Sequence, residues 1–223
     1  MSETDSFIDE VTEEVRRDRM FLLFKRWGWV GALAVVVIVG GAAFNEYRKS
    51  QDTAAAQALG DQIIAALAEN EAADRAAKLS GVSAETAGGG AIVQMMISAA
   101  QGNSDQRDAA VAGLEAVAAD GDLPLIYRQI ASFKALTLQS DSLPAPELRL
   151  QFEALAQPGA PLRLLAQEQL ALIDVAEGMP DEAIARLQAI IQDAEAPADL
   201  QQRAAQLIVA LGGEPAEQPR QQG

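Results

Sequence analysis

The sequence predicts an all-α protein in which one N-terminal transmembrane helix precedes an α-solenoid of repeated helical hairpins. The 223 residues include 45 alanines but only 4% aromatic residues, and small unbranched side chains favour closely packed helices over sheets. An uncharged apolar stretch lies near the N-terminus, and prolines recur at nearly equal spacing in the remainder. The predicted segments are a cytoplasmic stub (1–26), a signal anchor (27–47), an exported repeat domain (48–211) and a disordered tail (212–223).

The composition excludes several classes of functional site. The chain has no histidine and no cysteine, so it cannot form a disulfide, a thiol redox centre, a His/Cys zinc site or a nucleophile activated by histidine. The formal net charge of −15 argues against nucleic acid as a partner, because phosphate binding draws mainly on Lys and Arg. We therefore expect no enzyme, no cofactor and no metal, although composition alone leaves a two-carboxylate hydrolase possible.

Residues 1–26 are predicted to form an amphipathic stub on the cytoplasmic side. The apolar residues of Phe7–Leu23 have helical spacing, and Ser6 is a suitable N-cap. Two interpretations remain open for this segment. It is either a solvated leader whose basic end fixes membrane topology, or a docking helix for a cytoplasmic partner.

Residues 27–44 form the uncharged stretch. As a helix these 18 residues would be roughly 27 Å long, which is close to the hydrocarbon thickness of a bilayer. Trp27 and Trp29 lie at one end, with Phe44 and Tyr47 at the other, as in the aromatic belts of the two membrane interfaces. A β-branched run in the middle is also compatible with a buried strand. The length and the paired aromatic residues favour a membrane span.

Basic residues beside this stretch predict its orientation. Five basic residues precede the stretch within eleven positions, whereas only Arg48 and Lys49 follow it closely. By the positive-inside rule the N-terminus stays in the cytoplasm and the residues after Tyr47 are exported. A cleaved signal peptide is the alternative, but a 26-residue leader with seven acidic residues is unlike the basic start of such peptides. The basic residues that precede the stretch are Arg16, Arg17, Arg19, Lys25 and Arg26.

The exported part contains an internal repeat. Pro124, Pro161 and Pro197 are separated by 37 and 36 residues, and each opens an apolar run. Ala110–Val117 also parallels Ala183–Ile190 at a displacement of 73 residues, which is two periods. Repeats of this length are typical of helical solenoids, in which stacked hairpins bury their apolar faces against one another.

The repeat predicts a long helix, three hairpins and a closing helix. Gly88–Gly90 is predicted to be a flexible joint before the first hairpin, and Ser104 and Asp122 are predicted N-caps. In order, the predicted helices are Gln51–Lys78; Ala91–Ala100 with Ser104–Ala119; Leu123–Leu138 with Pro146–Ala156; Pro161–Glu177 with Pro180–Ala194; and Ala198–Leu211.

Apolar stripes on these helices predict the buried faces. Met95, Met96 and Ile97 are expected in the core, with an adaptable peptide-binding surface as the alternative. Tyr127, Arg128 and Lys134 are the candidate residues of a concave partner groove. The stripes are Ile126/Ile130/Phe133, Leu148/Phe152/Leu155 and Ile184/Leu187/Ile191.

Two segments resemble known families. The third hairpin, with Gly178, Ala183, Leu187 and Ile190, resembles a degenerate tetratricopeptide repeat without its large aromatic residues. The N-terminal sequence FIDEVTEEVRRDR, followed by KRWG at 25–28, resembles the bacterial YfgM-like family. That resemblance implies a single-span inner-membrane protein with a periplasmic tetratricopeptide-like domain. It also implies an ancillary role at the SecYEG translocon, with periplasmic chaperones as partners.

The expected function is therefore that of a non-enzymatic, membrane-tethered adaptor that links the protein-export translocon to periplasmic chaperones. One alternative is a structural organiser of the inner membrane or envelope that acts through its span, with Gly28, Ala32 and Gly40 as the contact face. Another alternative is a regulator that acts through the cytoplasmic stub.

Overall fold

The computed structural model describes residues 3–216, with side chains from Trp29 onward except that of Ala32. The chain divides into two compact units, residues 1–58 and residues 59–223. Within the described range all regular secondary structure is helical, which confirms the predicted all-α class. The helices are α1 (Glu3–Leu67), α2 (Ala72–Ser80), α3 (Ala87–Gly102), α4 (Arg107–Ala119), α5 (Leu125–Leu138), α6 (Ala145–Leu155), α7 (Arg163–Ala176), α8 (Pro180–Gln192) and α9 (Ala198–Ala210).

Helix α1 is 65 residues long and joins three segments that the sequence predicts separately. No proline occurs before Pro124, so nothing in this part of the chain removes a backbone donor or forces a kink. From Trp29 to Leu67 the helix is long and apolar enough to cross a membrane, and the qualifying 18-residue window has a mean hydropathy of 1.7. None of that window is buried.

The prediction of one continuous helix over Gln51–Lys78 is wrong, because the helix is interrupted after Leu67 and resumes at Ala72. The backbone at Glu71 is extended, with φ −84° and ψ 137°. Arg75 stabilises the break, since its guanidinium donates hydrogen bonds to the carbonyl oxygens of Glu69 (2.9 Å) and Asn70 (2.7 Å). These bonds satisfy acceptors that a continuous helix would have paired internally.

Helices α2 to α9 pack in chain order, each against the next, and α3 also packs against α5. The buried residues form three successive clusters rather than one centre. The first joins α3, α4 and α5 through residues such as Leu114 and Ala131. The second joins α5, α6 and α7 around Phe152, and the third joins α7, α8 and α9 around Leu187 and Ile191.

Glycine and proline mark several helix boundaries as the sequence predicts. Gly178, with φ +76°, forms the predicted turn between α7 and α8, and the backbone N–H of Met179 closes that turn on the carbonyl of Asp174. Pro180 is the first residue of α8, where its missing N–H costs no hydrogen bond. Pro124 and Pro197 are the residues immediately before α5 and α9.

Other predicted boundaries are wrong. Gly88–Gly90 is not a joint but the first turn of α3, which is capped by the Thr86 hydroxyl accepting from the Gly89 N–H. A Cβ at Gly89 would lie 3.1 Å from Ala84 Cβ, so a side chain at this position would require its neighbours to shift slightly. Ser104 and Asp122 are not N-caps either, because α4 begins at Arg107 and α5 at Leu125.

The segment after α9 packs partly on α8 and α9. Gly212 has φ +81°, and Gly213 approaches Ile184 and Ile208 closely enough that a Cβ would lie 3.0 Å from each. Gln188 also donates a hydrogen bond to the Glu214 carbonyl. Of the tail predicted to be disordered, residues 217–223 lie outside the described range.

Candidate functional site

The candidate site is a groove between α3 and α5. These helices run parallel, because Gly88 near the start of α3 lies beside Tyr127, and Gly102 at its end lies beside Leu138. A Cβ would lie 3.6 Å from the Tyr127 hydroxyl at the first position and 3.1 Å from Leu138 Cδ2 at the second. The first distance is an ordinary van der Waals contact, whereas the second is tight, so the missing side chain favours close approach at the Gly102 end of the helix pair.

Apolar side chains line most of this groove, which has a volume of about 350 Å³. Met95 and Ala99 contribute from α3, Phe133 and Leu138 from α5, and the buried Leu114 of α4 lies at the floor. The polar lining residues are Asn103, Thr137 and Lys134, and none of the lining residues is acidic. The groove therefore combines an apolar floor with a cationic rim.

The structure separates the three residues that the sequence predicts for a partner groove. Lys134 is exposed and lines the groove. Tyr127 lies on the same face of α5, seven residues earlier, but packs as a half-buried residue at the edge of the first cluster. Arg128 is about 100° further around the helix and does not line the groove. Its buried Nε has no hydrogen-bond partner among the described residues.

Two groove residues were predicted to belong to the core. Phe133 is half-buried and packs against the second cluster, with its ring centroid 5.7 Å from that of Phe152 in an edge-to-face arrangement, whereas Ile126 of the same predicted stripe is 39% exposed. The fully buried face of α5 is formed instead by Ala131, Ala135 and Leu136. Met95 is half-buried and packs against the first cluster, as predicted for a core residue, and it also lines the groove. The small residues on α5 were the available signal, because alanine permits close helix contact.

A second cleft, of about 480 Å³, lies between α7 and α8. Its two cations, Arg163 and Arg186, both form ion pairs within the chain. Arg163 Nη1 lies 2.8 Å from an oxygen of Asp193, and its Nη2 lies 2.8 Å from Glu195. Both described cations of this cleft are therefore neutralised within the chain, and the cleft offers neither of them to an anionic ligand.

Asp174 is the most buried ionisable residue described in the second unit, at 1% exposure. Its two oxygens accept from Arg149 of α6 at 2.7 Å and from Arg186 of α8 at 3.0 Å. Arg149 also pairs with Glu177, and the hydrogen bonds to Glu177 and Asp174 raise the pKa of Arg149. Arg186 further donates to Gln167. One carboxylate therefore connects three successive helices.

Two further ion-pair groups hold α7 to later parts of the chain. Arg203 of α9 forms two hydrogen bonds with Glu168 of α7, at 2.9 and 3.1 Å, and a third with Asp199. These contacts, with Glu168 the largest contributor, raise the pKa of Arg203. At the other end of α7, hydrogen bonds from Arg163 and from the Glu195 backbone N–H lower the pKa of Asp193. Both groups are structural because every charge faces an opposite charge.

The residues predicted to lie at the membrane interfaces are exposed where their side chains are described. Trp29 is 67% exposed, and Phe44 and Tyr47 are each 64% exposed. The run Val35–Val39 between them is exposed as well. The side chains of Trp27 and of the basic residues predicted to set topology (Arg16, Arg17, Arg19, Lys25 and Arg26) lie outside the described side chains.

Among the described residues, no group of three or more acidic side chains is arranged to hold a metal ion. Comparisons with protein-family models, with curated proteins and with solved structures found no match to the chain.

Proposed function

We propose that the protein is a non-enzymatic adaptor that is anchored in the bacterial inner membrane and binds partner proteins through its helical second unit. The observation that carries the proposal is the apolar groove between α3 and α5, which is lined by the half-buried Met95 and Phe133 and by the exposed Lys134. Interaction surfaces of helical-repeat proteins have this form, with side chains from successive helices lining a shared concave face.

The apolar part of α1 supports the anchor. It is long and apolar enough for one span, and its large residues are exposed. A soluble protein rarely leaves a contiguous run such as Val35–Val39 in contact with water. Helices of signal peptides have similar length and composition, but the acidic leader favours an uncleaved anchor with the N-terminus in the cytoplasm. The second unit would then lie in the periplasm.

The choice of partners follows from the resemblance of the N-terminal residues to the YfgM-like family. The proposed partners are subunits of the export translocon and the periplasmic chaperones associated with it. An anchor of this kind raises the effective concentration of the second unit near other membrane complexes. A groove of modest affinity would then be sufficient to hold a partner at the channel.

Affinity purification of the full chain from membranes in mild detergent, followed by protein identification, tests this proposal. We expect translocon or chaperone subunits to be recovered. The matched control is a chain whose residues 27–47 are replaced by an unrelated hydrophobic helix. An adaptor should retain its partners in that control, whereas an organiser that acts through the span should lose them. Recovery of no translocon or chaperone subunit would contradict the proposal.

A further inference from the structure

The charges around the α3–α5 groove differ from those of the rest of the second unit. Residues 59–216 contain 22 acidic and 9 basic residues, so the net charge of this unit is negative and disfavours anionic ligands. Among the described residues, six of those nine cations lie within 4 Å of a carboxylate. Of the other three, Arg75 bonds to backbone carbonyls, which leaves Arg128 and Lys134.

Lys134 is the cation of this pair that faces the groove. It is exposed, and the residues one helical turn away on α5 are Ile130, Ala131, Thr137 and Leu138, none of which is acidic. Glu115 of α4 directly follows the floor residue Leu114 in the sequence. Its carboxylate accepts a hydrogen bond from the Gln139 side-chain amide at 3.1 Å. The ammonium group therefore has no carboxylate partner in the described part of the chain, although acids are abundant elsewhere.

The residues beside Lys134 are those that would anchor an apolar side chain. Met95 is flexible and polarisable, and can adapt to different shapes. Phe133 offers a large apolar surface, and Leu114 closes the floor. A volume of about 350 Å³ accommodates a few side chains of a peptide rather than a whole helix face.

From this arrangement we infer that the groove binds a peptide segment of a partner protein in which an apolar anchor residue is adjacent to a carboxylate. The apolar side chain enters between Met95 and Phe133, and the carboxylate pairs with Lys134. This inference rests on the proposed function as a protein-binding module, and it specifies the chemistry of the partner segment. The net negative charge of the unit predicts instead a preference for a basic peptide. The charge of the preferred peptide therefore distinguishes binding through Lys134 from attraction by net charge.

Two fluorescently labelled synthetic peptides test the inference against the full chain in nanodiscs of zwitterionic lipid. Both are amidated and carry leucines at identical positions, and they differ only in having Glu or Lys beside each leucine. We expect the Glu peptide to bind about fivefold more tightly by fluorescence anisotropy, as one partly exposed charge pair allows. Lys134→Arg should retain this preference, and Lys134→Glu should abolish or reverse it.

Lys78→Glu is the matched control, because it makes the same change in net charge on α2, outside the groove. It should leave the ratio of the two affinities unchanged. The inference is wrong if neither peptide binds, if the Lys peptide binds equally well or better, or if Lys78→Glu shifts the ratio as much as Lys134→Glu does. Circular dichroism confirms that each variant is folded.

The peptide assay contains no translocon and no chaperone, so its result is independent of the purification experiment. If the peptide assay shows a charge preference that depends on Lys134 but the purification recovers no translocon or chaperone subunit, the inference is supported and the proposed function is contradicted. If partners are recovered but the peptide assay shows no such preference, the proposed function is supported and the inference is contradicted.

Discussion

Helices α3–α5 and helices α6–α9 are held together by different interactions. In α6–α9, one arginine from each of the four helices pairs with a carboxylate of α7 or of the segment after α8, including the buried Asp174. In α3–α5 the contacts are made by small and apolar residues, such as Ala131 against Leu114, and the ion pair of Arg107 with Asp141 is exposed. The arginines of the later helices are therefore committed to structure, whereas Lys134 of α5 remains available.

The largest effect should come from Asp174→Asn. Removing this charge leaves Arg149 and Arg186 without their shared partner in a largely buried setting. We expect the free energy of unfolding to fall by roughly 3–5 kcal/mol, as when one member of a buried ion pair is lost. Denaturant unfolding monitored by circular dichroism measures the change.

Asp141→Asn is the control for that variant, because Asp141 is exposed and pairs with Arg107 at 3.5 Å. Its effect should stay below about 1 kcal/mol, as is usual for surface pairs. If the two variants cost the same, the distinction between the two groups of helices would be wrong.

An intermediate effect should come from Gly113→Ala on α4. A Cβ at this position would lie 2.9 Å from the hydroxyl of Ser98, which is fully buried on α3, and would also overlap the Gln94 amide. We expect a loss of about 1–3 kcal/mol, because overpacking outweighs the better helix propensity of alanine.

Gly90→Ala on α3 is the matched substitution with the opposite expected sign. A Cβ there meets nothing within 4 Å, so the variant should gain roughly 0.5–1 kcal/mol from reduced backbone freedom in the unfolded chain. Thermal unfolding of the two variants side by side provides the measurement. A stabilising Gly113→Ala would show that α3 and α4 are not closely packed.

The smallest effect should be the pH dependence contributed by Asp193. Its pKa is lowered in the folded chain by Arg163 and by the Glu195 backbone N–H, so its ionised form favours folding. That contribution is complete above the ordinary aspartate pKa of about 3.9 and disappears as the pH falls through the lowered value. The difference in the free energy of unfolding between the unchanged chain and Asp193→Asn should therefore be largest at neutral pH and should decrease towards zero in acid.

Unfolding curves at several pH values measure that difference. In an Arg163→Met background the Asp193→Asn change should have a smaller effect, since only the hydrogen bond from the Glu195 backbone N–H then favours the ionised form. A difference that stays constant from neutral to acid pH would exclude this contribution.

The sequence predicted the helical class and many of the boundaries, because these depend on local chemistry. Gly178 and Pro180 mark the turn and the start of α8, and the stripe Leu148/Phe152/Leu155 is buried as predicted. The interruption after Leu67 was missed because the alanine-rich pattern continues across it. It depends on Arg75 bonding back to the carbonyls of Glu69 and Asn70, which periodicity does not register.

The groove was predicted only in part, for a similar reason. Periodicity identified Ile126 and Phe133 as an apolar stripe of α5, but the helix is rotated so that Ala131 and Ala135 face the core. That rotation depends on contacts with α3 and α4, which the periodicity within α5 does not register. The network around Asp174 was missed as well, because an aspartate within an apolar helix gives no local indication of partners 25 residues before it and 12 residues after it.

The most direct test of the central claim is photocrosslinking in native membranes from one position in each group of helices. A photoreactive residue at Thr137 lies in the groove, and one at Val209 lies on an exposed site of α9. The account predicts adducts with translocon or chaperone subunits from Thr137 and none from Val209. Adducts from Val209 alone, or equal adducts from both positions, would contradict it.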